Sequence, residues 1–159
     1  MEYIATNFLK HKLIVVSYKG KIINILFDSQ TNYKLLKLNS IQNDNSKILI
    51  DVKIQLEAYF DQKNQEFKFK RNLIGTDFQK LVWLELLKIP YSQTRTYQEI
   101  ANYIGKPKAY RAVANAVAKN PLIIVIPCHR IIRSDGFTGQ YSAGSNLKKE
   151  LLKLEGSIL

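Results

Sequence analysis

The chain has 159 residues and a mass of 18.4 kDa, with 24 Lys plus Arg against 13 Asp plus Glu, a formal net charge of +11 and one cysteine. That length buries a core for one domain or two small ones, the lone thiol excludes an intramolecular disulfide, and with only two histidines a Cys/His-rich zinc cluster is excluded as well. A 46% hydrophobic and 23% charged composition is ordinary for a globular protein, no apolar run approaches the ~18 residues of a spanning helix, and the first residues lack a signal-peptide pattern, so a cytoplasmic protein is expected, or a nuclear one in a eukaryote.

The first half opens with β-branched runs at 13–16 and 22–27, separated by Lys19-Gly20-Lys21, which predicts a hairpin. Leu49, Val52, Leu56, Tyr59 and Phe60 recur at helical spacing and predict an amphipathic helix over 47–60. Phe67 and Phe69 alternate with Lys68 and Lys70, the pattern of a further strand. Acids are scattered through this half and it holds one histidine, His11, so it reads as a packing domain over 1–72.

The second half, 76–159, begins with Thr76-Asp77-Phe78-Gln79, a capping box ahead of an apolar run reaching Ile89, and predicts a helix of about three turns. Thr96-Tyr97-Gln98-Glu99 is a second capping box, starting a short helix that ends at Gly105. Lys106-Pro107 then opens a third helix that runs to about Ala118 before Asn120-Pro121 stops it. Two short helices joined by a glycine turn form a helix-turn-helix signature. On the third helix Tyr110, Val113 and Val117 make an apolar stripe, while Lys108, Arg111, Ala112, Asn115 and Lys119 lie on the other side. Small side chains let a helix approach a nucleic-acid groove, and Arg111 is the side chain there that reaches furthest.

Charge supports that reading. The two halves carry similar net charge, but over 86–134 the cations Lys88, Arg95, Lys106, Lys108, Arg111, Lys119, Arg130 and Arg133 face only Glu99, a local net of +7. Clustered Lys and Arg are what a polyanion requires.

The apolar run 122–126 predicts a buried strand that delivers the chain to Pro127-Cys128-His129-Arg130. Lone cysteines are commonly inert core residues, but imidazole and guanidinium neighbours favour the reactive thiolate. Neighbours in an extended segment point in opposite directions, so spacing alone leaves open whether Cys128 meets His129 directly or through a water. Around Ser134-Asp135-Gly136 the chain reads as a turn-linked strand pair or an extended loop, and Gly139, Ala143 and Gly144 leave room for a planar group. The last helix, from about Asn146, places Leu147, Leu151, Leu154 and Glu155 on one face, and Lys148, Lys149 and Lys153 on the other. A carboxylate on an apolar face needs a partner, and His129 is the candidate.

From residue 76 to 156 these motifs together resemble the O6-alkylguanine-DNA alkyltransferases, also called methylated-DNA–protein-cysteine methyltransferases. The resemblance runs through Thr96-Tyr97, the 106–120 helix with Asn120-Pro121, Ile126-Pro127-Cys128-His129-Arg130, Tyr141-Ser142-Ala143-Gly144 and the stretch from Leu151 to Glu155-Gly156. It implies an α+β fold: a small N-terminal ribonuclease-H-like α/β domain followed by a mainly helical, winged-helix-like domain carrying the helix-turn-helix. It implies that Cys128 accepts the alkyl group, that His129 acts as base through a water, that Glu155 orients the imidazole, and that Asn120 braces the turn carrying the thiol. Arg111 becomes the finger that replaces the extruded base, with Thr96, Lys108, Ala112 and Asn115 beside it on the DNA. Tyr97, Pro127, Ile131, Tyr141 and Ser142 surround the base, Tyr97 bonding the flipped guanine and Ser142 binding the lesion oxygen through its backbone amide. The implied partner is double-stranded DNA read through the minor groove by a monomer, without metal, cofactor or membrane. O6-alkylguanine and O4-alkylthymine are the implied substrates, and one thiol allows one reaction per molecule.

Two departures stand out. Ala114-Asn115 occupies a pair that is Gly-rich in the family, and Ala143 replaces a glycine of the pocket loop. Against alkyl transfer stand two other readings. One is a helix-turn-helix DNA or lesion binder with a structural Cys128. The other is a cysteine hydrolase, disfavoured because Cys128 and His129 are adjacent and the only other histidine is His11.

Overall fold

In the computed structural model, which describes residues 1–139 and 141–157, the chain forms two units, Met1–Leu73 and Ile74–Leu159. The first is built on strands β1 (Glu2–Phe8), β2 (His11–Tyr18) and β3 (Lys21–Phe27), which pair antiparallel in sequence order. Lys19 and Gly20 both take positive φ, 49° and 69°, the two-residue turn whose twist matches a hairpin. A short helix α1 (Tyr33–Leu38) leads to β4 (Ile41–Gln42), which pairs parallel to β1 and gives the order β3-β2-β1-β4. Residues 13–17 of β2 are all buried, the sign of a central strand covered on both faces. One face packs Tyr3, Ile14, Val16, Leu26 and Tyr33 together. Helix α2 (Lys47–Phe60) packs on the sheet and buries Leu49, Val52, Leu56 and Tyr59 of the spacing that predicts it, while Phe60 at its end is half-buried.

Residues 67–70 do not form the expected strand. That segment is extended but meets the sheet only at the edge of β3, where Ile22 N–H donates to Lys70 O and Asn72 N–H donates to Ile22 O, both at 2.9 Å. Two bonds make a bridge, and a ladder needs more.

The second unit is mixed helix and short strand: α3 (Asp77–Leu86), β5 (Arg95–Thr96), α4 (Tyr97–Tyr103), α5 (Tyr110–Ala118), β6 (Ile131–Ile132) and α6 (Ser145–Leu154). Both capping boxes form with both reciprocal bonds. Gly105, at φ 71°, supplies the left-handed residue that ends α4, and a single 3₁₀ turn, Pro107–Ala109, then opens α5. Trp83 of α3 is 1% exposed and donates its indole N–H to Ala116 O at 2.8 Å, pinning α3 to α5. Gly75 sits so close to that ring that a Cβ would lie 2.5 Å from it.

Two expectations change here, and one open alternative is decided. Tyr110 is 42% exposed, and the buried stripe of α5 is Val113, Ala116 and Val117. Residues 122–126 are buried as expected, but as a tight turn: Ile124 takes φ 72° and Ile126 N–H bonds Leu122 O at 2.8 Å. Over 133–139 the chain forms a loop, closed by Arg133 N–H to Phe137 O at 2.9 Å, so among the described residues the loop is realised; residue 140 of the alternative strand lies outside them.

Candidate functional site

Asn120 organises the 122–126 turn from inside. Its side-chain oxygen accepts from Leu122 N–H at 2.9 Å, and its amide donates to Ile126 O at 2.7 Å and to the Cys128 sulfur at 2.9 Å. An extended strand could not bring those groups around one carboxamide. The chain then makes a 3₁₀ turn, Cys128–Arg130, all three residues buried, in place of the expected strand end. Leaving that turn, Ile131 and Ile132 pair parallel with Arg95 and Thr96. This pairing sets the start of α4, and with it Tyr97, beside the thiol.

Cys128, 2% exposed, lines a cavity of about 270 Å³ with Tyr97, Ala114, Asn115, Val117, Ala118, Tyr141 and Ser142. Its sulfur is 3.8 Å from the Tyr141 hydroxyl. Burial pushes the thiol pKa up, while the Asn120 and Tyr141 hydrogen bonds and the charge of Lys148 pull it back. Burial also raises the pKa of Tyr97, assisted by Cys128, so this phenol keeps its proton. Four residues expected around the base or on the DNA, Tyr97, Asn115, Tyr141 and Ser142, are thus gathered at the thiol. Pro127 and Ile131 are buried and form no part of that lining.

Behind the thiol, His129 is fully buried, and its Nε2 lies 2.8 Å from Glu155 Oε1. Glu155 follows α6 as its C-cap, 2% exposed. Sequence reasoning pairs these two but misses two further partners of the acid. Arg130 grips Glu155 with Nε on Oε2 and Nη2 on Oε1, each at 2.8 Å, and donates Nη1 to Ile89 O at 2.6 Å. Ser92 adds its N–H to Oε2 at 3.4 Å and its hydroxyl to the Glu155 carbonyl. Burial works to raise the Glu155 pKa, yet the bonds and charges of His129 and Arg130 prevail and hold it at about 2. The same burial lowers the His129 pKa, against the pull of Glu155, and keeps the imidazole neutral. An ionised carboxylate only accepts, so Nε2 carries the ring proton and Nδ1 carries the lone pair. Nδ1 is buried with no hydrogen-bond partner among the described residues. The site therefore combines a buried nucleophile with a neutral base whose tautomer is fixed from behind.

Arg130 leaves the surface charge cluster in which the sequence places it, and Lys148, expected on the outer face of α6, is 1% exposed. Sequence spacing offered a signal for the second: Lys148 directly follows the buried Leu147 and is three and four residues before Leu151 and Leu152, also buried. On α5, Arg111, Ala112 and Asn115 are exposed, as are Lys119 at its C-terminal cap and Lys108 in the preceding turn. The Arg111 guanidinium stands 5.7 Å from the Tyr110 ring. Thr96 uses its hydroxyl to cap α4, accepting from Glu99 N–H at 3.1 Å.

Residues 77–157 match the family model described as "6-O-methylguanine DNA methyltransferase, DNA binding domain". The chain is 54% identical over 116 residues to a methylated-DNA–protein-cysteine methyltransferase of Methanosarcina barkeri, covering 73% of each chain. It is 37% identical over 145 residues to a probable methylated-DNA–protein-cysteine methyltransferase of Acanthamoeba polyphaga mimivirus, covering 91% of this chain and 96% of that one. The crystal structure of Mycobacterium tuberculosis OGT in complex with DNA superposes with a TM-score of 0.90 at 36% identity, over 99% of this chain and 94% of that one.

Proposed function

Because the chain belongs to the methylated-DNA–protein-cysteine methyltransferase family, we propose that it repairs duplex DNA by moving a methyl or other alkyl group from O6-alkylguanine, and from O4-alkylthymine, onto its own Cys128. The observation that carries this reading is the Cys128 sulfur at the wall of a cavity shared with Tyr97, Asn115, Tyr141 and Ser142, backed by His129, Glu155 and Arg130. His129 Nδ1 takes the thiol proton through a bridging water. The thiolate attacks the alkyl carbon, the S–C bond forms as the C–O6 bond breaks, and the electron pair leaves with guanine. Tyr97, which keeps its proton, supplies one to the departing base. Glu155 fixes the imidazole tautomer, and Arg130 neutralises Glu155 so that the acid remains a hydrogen-bond acceptor. The product is a thioether, and with one cysteine in the chain each molecule acts once.

A base inside a duplex is out of a protein's reach, so the lesion must be flipped out, and a damaged pair opens at lower cost. The exposed face of α5 supports the reading that Arg111 fills the gap, with Thr96, Lys108, Ala112 and Asn115 along the minor groove of DNA bound by a monomer. Small residues next to a long cation suit groove insertion, whereas reading the major groove would need base-specific side chains there. Residues 76–159 are the DNA-binding and transfer domain, winged-helix-like around α3, α4 and α5. Residues 1–72 are the packing domain, and the order β3-β2-β1-β4 with its parallel fourth strand supports a ribonuclease-H-like reading.

The test is to incubate the purified protein with duplex DNA carrying O6-methylguanine and then weigh the protein and its peptides. One methyl group gained on the Cys128 peptide is the expected result. Tight lesion binding with unchanged mass would favour the non-catalytic binder instead.

A further inference from the structure

A lysine that loses nearly all contact with water keeps its charge only where hydrogen bonds or nearby negative charge offset the lost hydration. Lys148 stands on α6 at 1% exposure, among the largest fully buried side chains. Its Nζ donates to the backbone carbonyl of Ile131, in the chain leaving the Cys128 turn, and α6 packs on that turn. Among the described residues no carboxylate pairs with it. Glu155, the buried acid of this region, has both oxygens taken by His129 and Arg130. Arg130 is thereby neutralised, and His129 is held neutral by burial. Among the described residues of the site, Lys148 is left as the cation without an anion of its own.

We propose that Lys148 is a positioning residue whose ammonium, tethered to the Ile131 carbonyl, is the resident counter-charge that lets Cys128 ionise inside a buried site. Burial lowers the Lys148 pKa to about 8 and the Cys128 sulfur opposes that fall, while Lys148 in turn lowers the pKa of the thiol. The coupling is reciprocal, as any linkage between two titrating groups must be. The other titratable and charged groups around the thiol are His129 and Arg130 of the same turn, Glu155 after α6, Tyr97 at the start of α4 and Tyr141 in the loop before α6. None of them is a cation free to face the sulfur. Asn120 contributes a dipole, and Lys148 contributes the charge.

This inference rests on Cys128 as the nucleophile, so its test is kept apart from DNA repair. Alkylation of the intact protein by iodoacetamide, without DNA and read by mass, is followed against pH for wild type, Lys148→Met and Lys148→Arg. In Lys148→Met the midpoint is expected to rise by about one pH unit, cutting the neutral-pH rate about tenfold with the high-pH plateau unchanged. Lys148→Arg is expected to keep the wild-type midpoint. A Lys148→Met profile superimposed on wild type, or an equal shift in Lys148→Arg, overturns the proposal. If Lys148→Met fails to fold, the reciprocal measurement decides: the Lys148 Nζ titration by nitrogen NMR in wild type and in Cys128→Ser. A lower Lys148 midpoint in Cys128→Ser supports the coupling, and identical midpoints overturn it. Should lesion DNA transfer no methyl while the iodoacetamide profiles still shift, the repair reading falls and the coupling stands.

Discussion

Glu155 remains an ion at 2% exposure because two donors, His129 and Arg130, share its oxygens, and that dependence makes it readable by acid. Burial alone would raise its pKa, but those partners carry it from 4.5 down to about 2. A folded-state value below the unfolded one stabilises the protein at pH above about 4.5, and that stabilisation is lost as pH falls through about 2. The full difference corresponds to about 3 kcal/mol at neutral pH. Glu155→Gln removes the acid and leaves Arg130 buried without its partner, so at pH 7 it should destabilise by about 3 kcal/mol in urea unfolding. Between pH 4.5 and 2 the gap between wild type and variant should close; a gap independent of pH would contradict the pairing. Arg111 offers a test of extrusion. Arg111→Ala should slow transfer from a lesion in duplex DNA by about tenfold, roughly 1.4 kcal/mol of the few that extrusion costs, while single-stranded substrate reacts within about twofold of wild type. Equal losses on both substrates would make Arg111 a general binding residue and not the finger.

At the scale of elements, the 122–126 turn is the feature on which the site's geometry turns, and it depends on one side chain. Asn120→Ala deletes the acceptor for Leu122 N–H and the donors to Ile126 O and Cys128. With the buried Leu122 N–H left unpaired and Ile126 O keeping only Cys128 N–H as donor, a loss of about 1 to 3 kcal/mol in denaturant unfolding is expected. Because the turn aims the thiol, the iodoacetamide rate should change as well; a variant with native stability and native thiol reactivity would show that the hydrophobic run holds the turn unaided. The same turn explains what a linear reading could and could not reach. The two capping boxes, α2 and the Lys19-Gly20 hairpin were legible because each is settled by residues within a few positions of one another. Residues 122–126 were not, since five consecutive apolar residues suit a strand and a buried turn equally, and the choice is made by a carboxamide outside the run. Strand β1 escaped for a related reason: Glu2, Thr6 and Asn7 interrupt its apolar pattern, and pairing with β2 on one side and β4 on the other supplies what the pattern lacks. The His129 and Glu155 pairing was legible from one misplaced carboxylate, whereas Arg130 and Ser92 as its other partners required the fold.

On the scale of the whole chain, net charge of +11 is a poor guide to where DNA binds, since both halves carry similar excess. The structure also thins the cluster that looked richest. Arg130 is spent on Glu155, Lys88 sits 2.6 Å from Glu85, and Arg133 sits 2.7 Å from Asp135. Arg95, Lys106, Lys108, Arg111 and Lys119 remain as cations without an acid partner among the described residues. If about five phosphates are neutralised, the logarithm of the binding constant should fall with the logarithm of salt concentration at a slope of about −4.5. Lys108→Ala with Lys119→Ala should lower that steepness by about 2, each lost phosphate contact accounting for about 1. Lys34→Ala with Lys37→Ala, exposed residues of the first unit, removes the same formal charge and should leave the slope within error of wild type. Measuring the three proteins on one duplex by fluorescence anisotropy across a salt series separates a localised footprint from a diffuse field. Equal reductions in both double variants would mean that charge acts through the total and that α5 holds no privileged place in binding.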